Sequence, residues 1–480
     1  MDWETLERLD SFPYRHTVAD VMTSPVVMVP AHTPVADAAG RMDALGISSV
    51  LVEDGAEGVA AGIVTERDVL RVVSRHGPAG LDLPLRAVMS GPVHGLLPEA
   101  PVYLAIGRMD RLAIRHLQVV DDDGRAVGIL TARALLRQRA GPALALGDEV
   151  AVAGDAEALG RVRASLPRLA CALLAEGVAA SDVAAVIAGV MRDCTGRAAA
   201  LAAAELERER GPAPVPWCAL ILGSGGRGES LLAPDQDNAL VHAGGPEDDP
   251  WFADLGERMC GLLDRAGIPY CKGGVMARNP AWRHGIAEWG RLVDRWIATP
   301  EGESLLNVDI FFDFHPVHGD RRLAAELRAL ALGKARHARV FLRNLAAQLA
   351  RAGTPFGLFG RPRLTEERID LKLGGTWPVV AGARVLALRH GVEATSTLGR
   401  LDALAAAGVL AEADVAAMRG LYGVALGMML DQQVADVAAG RDPGSRVDPR
   451  RLAAADRGRL REALKQVGRM VWTVEDALAR

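Results

Sequence analysis

The sequence predicts a multidomain α+β protein: a tandem β-α-β-β-α repeat, then a mixed-sheet domain, then a C-terminal helical bundle. Residues 18–73 and 86–138 are two copies of one pattern. Strand-like apolar runs around a glycine-rich stretch occupy the middle of the chain, and apolar residues at helical spacing dominate after about residue 320. A length of 480 residues is enough for about three domains.

The composition excludes several classes of protein. Half of the residues are hydrophobic, 24% are charged and the net charge is −5, so no basic field predicts a DNA partner. The five cysteines are scattered without C-x-x-C spacing, which favours reduced thiols over a zinc site or disulfides. The N-terminus is acidic, and no run of about 18 apolar residues occurs. We therefore expect a cytoplasmic protein without a membrane partner.

The repeat follows an N-terminal extension at residues 1–16 and is assigned to residues 17–140. Its first copy reads VADVMTSPVVMVP, ADAAGRMDALG, SSVLV, GIVT and ERDVLRVV. The second reads RAVMSGPVHGLLP, AIGRMDRLAI, HLQVV, GILT and ARALLRQ. Over about 120 residues this order resembles a tandem pair of CBS domains, known as a Bateman module.

The resemblance to CBS domains implies that AMP, ADP or ATP binds as a regulator between the copies, and that the chain forms a homodimer through this module. Thr65 and Asp68 match the family's ribose-binding pair. In the second copy Thr131 is present, but Ala134 replaces the aspartate, which predicts a weakened or empty second cleft. Two alternatives stay open: the Thr65 pattern is also an ordinary helix N-cap, and the module could serve only as a dimerisation platform.

The middle of the chain begins with a linker at residues 139–154 and a helical segment at residues 155–210. The breaker GPAPVP then opens a mixed-sheet domain at residues 211–320. Within this domain the patterns predict a strand at WCALILG, helices over residues 251–266 and 286–298, and a buried strand over residues 305–317.

One stretch of this domain, LILGSGGRGESLLAPDQDNALV, carries the chemistry. A strand leads into a glycine-rich loop whose backbone N–H groups are free to approach phosphates. Asp235 and Asp237 follow, and residues i and i+2 of an extended strand point to the same side. Two converging carboxylates repel each other unless a cation lies between them, and Mg²⁺ (or Mn²⁺) is the hard cation that suits oxygen ligands. The segment therefore predicts metal-assisted phosphoryl or nucleotidyl transfer.

A third carboxylate is expected from LLNVDIFFDFHPV, where Asp309 and Asp313 are the candidates. Asp313 is favoured because an acid inside an apolar run is costly unless it is paired or binds a metal. The alternative is a structural pairing of Asp313 with a nearby arginine or with His315.

These motifs together resemble the nucleotidyltransferase superfamily that includes DNA polymerase β. The segments GSGGRGE, DQDN, YCKGGVMARNP and LLNVDIFFDF are most similar to the branch of PII uridylyltransferase and glutamine synthetase adenylyltransferase. They resemble in particular bacterial nucleotidyltransferases in which a CBS pair precedes the catalytic domain. The resemblance implies transfer of an NMP from an NTP to a hydroxyl group.

Carried onto this sequence, the resemblance makes Asp235 and Asp237 ligands of both metals and Asp313 the third ligand and base. It makes Gly223 and Ser224 contacts of the triphosphate.

Two basic residues are further candidates for binding the nucleotide. Arg227 could neutralise phosphate charge, or could form a salt bridge to Glu229 that shapes the loop. Lys272 is a plausible phosphate partner, with a solvated loop lysine as the alternative.

Residues 321–480 have helical patterns and read as a domain that binds substrate or nucleotide. The segment IDLKLGG resembles a motif after the catalytic core of the uridylyltransferase branch, so Asp370 and Lys372 are expected to face the nucleotide or substrate. A plain turn between helices is the alternative.

Three functions remain possible from the sequence. The favoured one is a nucleotidyltransferase whose acceptor is a PII-like protein, another enzyme or a small molecule. The others are a non-catalytic nucleotide sensor and a scaffold dimerised by its CBS pair.

Overall fold

The computed structural model describes residues 16–55, 57–132, 134–135, 146–299, 310–351 and 364–479. The chain divides into two compact units, Met1–Leu144 and Ala145–Arg480.

The first unit is the predicted repeat, and its β-α-β-β-α order is confirmed for the first copy and, within the described residues, for the β-α-β-β part of the second. In each copy the first two strands pair in parallel and the last two pair antiparallel. The first copy comprises Met28–Pro30 (β1), Val35–Leu45 (α1), Ser49–Glu53 (β2), Ala60–Thr65 (β3) and Glu66–His76 (α2). The described elements of the second are Gly95–Leu96 (β4), Val102–Leu112 (α3), His116–Val120 (β5) and Ala126–Thr131 (β6).

The two copies share backbone geometry even where their residues differ. Gly46 ends α1 in the left-handed conformation, with φ of 61°. Ala113 ends α3 at the equivalent place with φ of 53°, although its side chain disfavours that region. Two apolar cores form around these helices, and the opening segments are exchanged: Val18 and Val21 pack in the core around α3, whereas Val88 and Met89 pack against the core around α1.

The second unit begins with two long helices, Ala156–Ala175 (α4) and Ala180–Arg210 (α5), which pack against a four-stranded sheet. The sheet is mixed, as predicted, because two of its strand pairs are antiparallel and one is parallel. Its strands are Trp217–Ile221 (β7), Asn238–His242 (β8), Arg283–Gly285 (β9) and His315–Gly319 (β10). Across the sheet their order is β10-β7-β8-β9. The helices of this domain are Gly223–Arg227 (α6), Asp249–Arg265 (α7) and Ile286–Ala298 (α8).

The register of the sheet brings three chain segments to one edge. Ile221 at the end of β7 pairs with Asn238 at the start of β8 and with His315 at the start of β10. The residues just outside these strands therefore gather at the same edge. This edge holds the glycine-rich segment, the paired aspartates and Asp313.

Two local predictions in this domain are wrong. Asp313 does not lie on a buried strand: Ile310 and Phe311 are helical, Asp313 lies in a turn, and β10 starts only at His315. Asp309 lies outside the described residues. The glycine-rich stretch is not an open loop either, since Gly223–Arg227 forms one short helical turn. The predicted helix over residues 286–298 is confirmed at both ends.

The C-terminal part is helical, as predicted, with a two-stranded ladder and a π-helix. Within the described part of the chain, Glu412–Ala438 is the one helix whose length and composition would allow it to cross a membrane; half of its most apolar stretch is buried. The helices are Arg321–Arg336 (α9), Arg339–Arg351 (α10), Trp377–His390 (α11), Thr397–Ala406 (α12), Glu412–Ala438 (α13) and Ala454–Ala479 (α14). The ladder joins Ile369–Asp370 (β11) to Arg446–Val447 (β12), and the π-helix is Lys372–Thr376.

Close packing of α5 on β10 gives a test of this arrangement. A Cβ atom on Gly196 would lie 2.6 Å from the carbonyl oxygen of Val317, whereas one on Gly189 of the same helix would meet nothing within 4 Å. We expect Gly196→Ala to lower the free energy of unfolding by about 1–3 kcal/mol through overpacking. The matched Gly189→Ala should raise it by about 0.5–1 kcal/mol. Urea denaturation of the full chain measures both, and equal effects would contradict this packing.

Candidate active site

Asp235 and Asp237 form the centre of the candidate site, directly before β8. Between them, Gln236 turns inward and donates from Nε2 to the carbonyls of Cys260 and Ile268, at 3.0 and 2.8 Å. The two aspartates therefore point to the opposite side from Gln236, as the i, i+2 spacing predicts. One carboxylate oxygen of each lies within 4.8 Å of the other.

The environment of Asp237 suits a cation. Its Oδ1 is buried and has no hydrogen-bond partner within the described residues. Burial and the charge of Asp235 raise the pKa of Asp237 to about 6. A divalent cation between the carboxylates would remove both penalties, so these residues fit Mg²⁺ or Mn²⁺.

Cys271 is a neighbour of these carboxylates that the sequence did not indicate. Its Sγ lies within 4.8 Å of ligand oxygens of both Asp235 and Asp237. The thiol hydrogen-bonds to Asp237, and burial together with the charge of Asp237 raises the pKa of Cys271 to about 12. The pairing of Gln236 with Tyr270 in a parallel bridge places Cys271 there, and only the fold supplies that pairing.

The glycine-rich turn lies against the carboxylates. Gly223 has φ of 57°, and a Cβ atom there would come within 2.8 Å of Asp237 Oδ2. Only glycine fits this position without strain. Ser224 lines a small cavity of about 20 Å³ together with Asp235 and Asp237, roughly the space of one water.

Asp313 has a different environment, and its expected role as metal ligand and base is corrected. Its side chain has no solvent exposure. Oδ2 accepts from Arg384 Nη2 at 2.6 Å and Arg227 Nη1 at 2.7 Å, while Oδ1 accepts from Arg400 Nη2 at 2.6 Å. Burial alone would raise the pKa of Asp313, but the three guanidinium charges outweigh it and hold that pKa well below its usual range. Both oxygens serve ion pairs, so the structural pairing with arginine is what the structure shows.

Arg227 is also corrected as a phosphate ligand. Its Nε donates to Glu229 Oε2 at 2.7 Å while Nη1 binds Asp313, and its side chain is only 13% exposed. The alternative reading, a salt bridge to Glu229 that shapes the loop, is therefore confirmed. The Arg227 guanidinium links the glycine-rich turn to the buried carboxylate of Asp313.

Glu229 extends this network into the helical domain. Its carboxylate accepts from the Thr397 backbone N–H at 2.5 Å and from the Thr397 hydroxyl at 3.0 Å. Tyr422 also hydrogen-bonds to Glu229. Nearby, Gln433 Oε1 accepts from the backbone N–H of Leu232 at 2.8 Å. Helices α12 and α13 thus hold the segment that leads from the glycine turn to the aspartates.

The opposite side of the glycine turn is held by α5. Arg192 donates from Nε to the Gly225 carbonyl and from Nη2 to the Gly226 carbonyl, both at 2.7 Å. These bonds satisfy carbonyls at the end of the short helix.

Three further residues, Lys272, Asp370 and Lys372, were predicted to contact the nucleotide. Lys372 is exposed, and its positive charge partly opposes the rise in the pKa of Asp237 that burial and Asp235 cause. Lys272 is an exposed residue of the turn after Cys271. Asp370 lies two residues before the π-helix, and its Oδ1 accepts from the Leu373 backbone N–H at 3.0 Å. The turn reading of this segment thus accounts for Asp370, whereas the contact of Lys372 with a nucleotide stays a prediction.

Models of known protein families match most of the chain. A family model described as "Putative nucleotidyltransferase DUF294" matches residues 164–303, and one described as "Putative nucleotidyltransferase substrate binding domain" matches residues 339–476. CBS domain models match residues 18–75 and 85–141. The chain belongs to this nucleotidyltransferase family, with a tandem CBS pair. The nucleotidyltransferase model begins within α4, so it takes in most of the two long helices beside the sheet.

The similar single proteins cover a smaller share of the chain. An uncharacterized 17.7 kDa protein of Acidianus ambivalens is 30% identical over 120 residues, which is 25% of this chain and 71% of that protein. An uncharacterized protein of Methanopyrus kandleri is 33% identical over 108 residues, 22% of this chain and 54% of that protein.

Two solved structures are similar over a comparable share. A CBS-domain containing protein of Agrobacterium tumefaciens is 29% identical, covering 26% of this chain and 99% of that one with a TM-score of 0.25. A CBS domain protein of Pyrobaculum aerophilum complexed with AMP is 28% identical. The match covers 26% of this chain and 94% of that one, with a TM-score of 0.24.

The predicted nucleotide-binding residues of the CBS pair occupy capping positions. Thr65 caps α2, and its backbone N–H and hydroxyl donate to Asp68 Oδ2 at 3.0 and 2.7 Å. Thr131 Oγ1 accepts from the Ala134 backbone N–H at 2.9 Å, so the second copy keeps the cap without the carboxylate. Burial lowers the pKa of His116, and the charge of Asp68 opposes this, which places His116 of the second copy near Asp68 of the first. Sequence reasoning missed His116.

The Asp313 cluster yields a test that separates a structural role from a catalytic one. Removal of one partner from a buried ion-pair cluster leaves uncompensated charges, so we expect Asp313→Asn to lower the free energy of unfolding by about 3–5 kcal/mol. Urea denaturation followed by tryptophan fluorescence measures this. The control is Asp402→Asn, which breaks an exposed pair with Arg419 and should cost about 0–1 kcal/mol. Unchanged stability with lost turnover would instead restore a catalytic role for Asp313.

Proposed function

We propose that this protein transfers a nucleoside monophosphate from an NTP to a hydroxyl group, with a divalent cation held by Asp235 and Asp237. The observation that carries the proposal is the convergence of these carboxylates, one with an unpartnered buried oxygen, against the glycine turn at the sheet edge. The family match supports the same reaction class.

Each residue of the site would have a different role in the reaction. Mg²⁺ or Mn²⁺ bound to the aspartates would neutralise the phosphates and favour in-line displacement of pyrophosphate. Gly223 allows the backbone to approach Asp237 closely, and Ser224 offers a hydroxyl beside the carboxylates. Lys372 supplies a positive charge from the helical domain to a triphosphate bound at this edge. Positioning and charge neutralisation would then supply most of the rate enhancement.

The acceptor hydroxyl would enter from the side of the helical domain. The family description of residues 339–476 as a substrate binding domain supports this direction. A PII-like protein, another enzyme such as glutamine synthetase, or a small molecule would each supply a suitable hydroxyl.

A second candidate function is a nucleotide sensor without catalysis. The observation that favours it is the engagement of Asp313 by arginines, which leaves two carboxylates in the described part of the site. The two functions differ in turnover, so transfer of label decides between them.

The metal assignment predicts the effect of removing either aspartate. We expect Asp235→Ala and Asp237→Ala to abolish Mg²⁺-dependent transfer of α-labelled nucleotide, because neither leaves a pair of ligands for the cation. Stability should be retained or increased, since mutual repulsion is relieved. Pyrophosphate release and labelled acceptor, scanned over each NTP with and without cell lysate, give the readout. The control is Asp254→Asn on α7, where a half-exposed aspartate pairs with Arg210. Full turnover in either alanine variant would refute the assignment.

We also propose that AMP, ADP or ATP binds between the CBS copies, near Thr65, Asp68 and His116, and that this module forms a homodimer. The proximity of Asp68 to His116 supports one cleft to which both copies contribute. The absence of a carboxylate at Ala134 supports a weaker second cleft.

Calorimetry of the full chain with each adenine nucleotide tests the regulatory site. We expect one site per chain, lost in Asp68→Ala because the ribose acceptor is removed. That variant also loses a helix cap worth about 1 kcal/mol. Asp20→Ala removes the same Thr-Asp capping contact at Thr17 and is therefore the matched control. Equal affinity in wild type and Asp68→Ala would place the nucleotide elsewhere.

A further inference from the structure

We propose that the Cys271 thiolate is a third protein ligand of the cation site at Asp235 and Asp237, and that the site therefore prefers Zn²⁺ or Co²⁺ to Mg²⁺. The inference rests on the proposed function only for the location of the site. On binding, a sulfur–metal bond forms and the thiol proton passes to solvent.

The geometry of the three side chains supports a shared ion. One ligand atom each from Asp235, Asp237 and Cys271 lie within 4.8 Å of one another. Ligands of a tetrahedral zinc ion lie roughly 3.3–3.8 Å apart, since metal–ligand distances are about 2.0–2.3 Å. Side-chain rotations that shorten the present separations would bring all three atoms onto one cation.

The backbone fixes this arrangement. The parallel bridge between Gln236 and Tyr270 places the next residues, Asp237 and Cys271, side by side. The Gln236 N–H also donates to the Pro269 carbonyl at 3.0 Å, which holds the two segments together. The thiol is thus presented to the carboxylates by a defined pairing of two chain segments.

The other described cysteines are placed differently. Cys194, Cys218 and Cys260 are buried, and Cys260 Sγ is directed to Asn238 Oδ1 at 3.5 Å. Cys171 is exposed on α4. Within the described residues, Cys271 is the thiol grouped with two carboxylates.

The donor set decides the metal preference. Mg²⁺ takes oxygen ligands and retains water, so it would use the two carboxylates and gain little from sulfur. Thiolate ligands favour Zn²⁺ and Co²⁺ over Mg²⁺. Two carboxylates alone would suit Mg²⁺. Adding the Cys271 thiolate as a third ligand of the same ion shifts the preference of the site to Zn²⁺ or Co²⁺.

Cobalt binding to the full chain tests the proposal directly. Under anaerobic conditions we expect Co²⁺ to produce a thiolate-to-cobalt charge-transfer band in the near ultraviolet. Cys271→Ser should lack the band and bind Co²⁺ more weakly by about tenfold or more, since even indirect partners of metal ligands act on this scale. Cys171→Ser should keep both the band and the affinity. Zn²⁺ should protect Cys271 from alkylation in the Cys171→Ser background, whereas Mg²⁺ at equal occupancy should not.

The outcomes separate this inference from the proposed function. Cobalt binding without the band, or a band that persists in Cys271→Ser, would overturn the thiolate ligand and leave Cys271 as a hydrogen-bond donor to Asp237. Mg²⁺-dependent transfer would then still support the proposed function. A cysteine-dependent band without any nucleotidyl transfer would support the ligand and refute the reaction. Failure of any cation to bind would overturn both.

Discussion

The burial of one carboxylate, Asp313, among three guanidinium groups is the constraint on which the catalytic unit depends. A lone buried carboxylate would be prohibitively costly, and so would the arginines without it. The arginines come from separate elements: Arg227 from the glycine turn, Arg384 from α11 and Arg400 from α12. The pairing can therefore form only when the helical domain is docked on the edge of the sheet. It gives a physical reason why Ala145–Arg480 is one compact unit.

The same sheet edge holds two carboxylates with opposite electrostatics. Guanidinium charges hold the pKa of Asp313 well below its usual range, whereas burial and the charge of Asp235 raise the pKa of Asp237 to about 6. Asp313 is already compensated, since both of its oxygens accept hydrogen bonds from arginines. Asp237 is under-compensated and has an orphaned oxygen. This contrast separates a structural acid from one suited to a cation, and neither sequence position nor residue type could have made the distinction.

The sequence predicted the features that depend on residues close together in the chain, and it did not predict those that depend on contacts between distant segments. The i, i+2 spacing of Asp235 and Asp237, the repeat and the helix at residues 286–298 depend on local periodicity, and the structure confirms them. The partners of Asp313 lie 71, 86 and 87 residues away along the chain, so an acid in an apolar run was equally compatible with metal or arginine. The position of Cys271 depends on one parallel bridge between distant segments, which has no periodic signal.

The helical domain is therefore part of the site and not an appendage to it. It supplies Lys372 near Asp237, and it holds Glu229 through Thr397. Lys372 opens the π-helix that runs directly into α11, the helix that carries Arg384. π-helical turns are frequent at functional sites because they place one side chain out of the regular register. The ion pair of Arg384 with Asp313 and the position of Lys372 are thus fixed by one continuous helical segment.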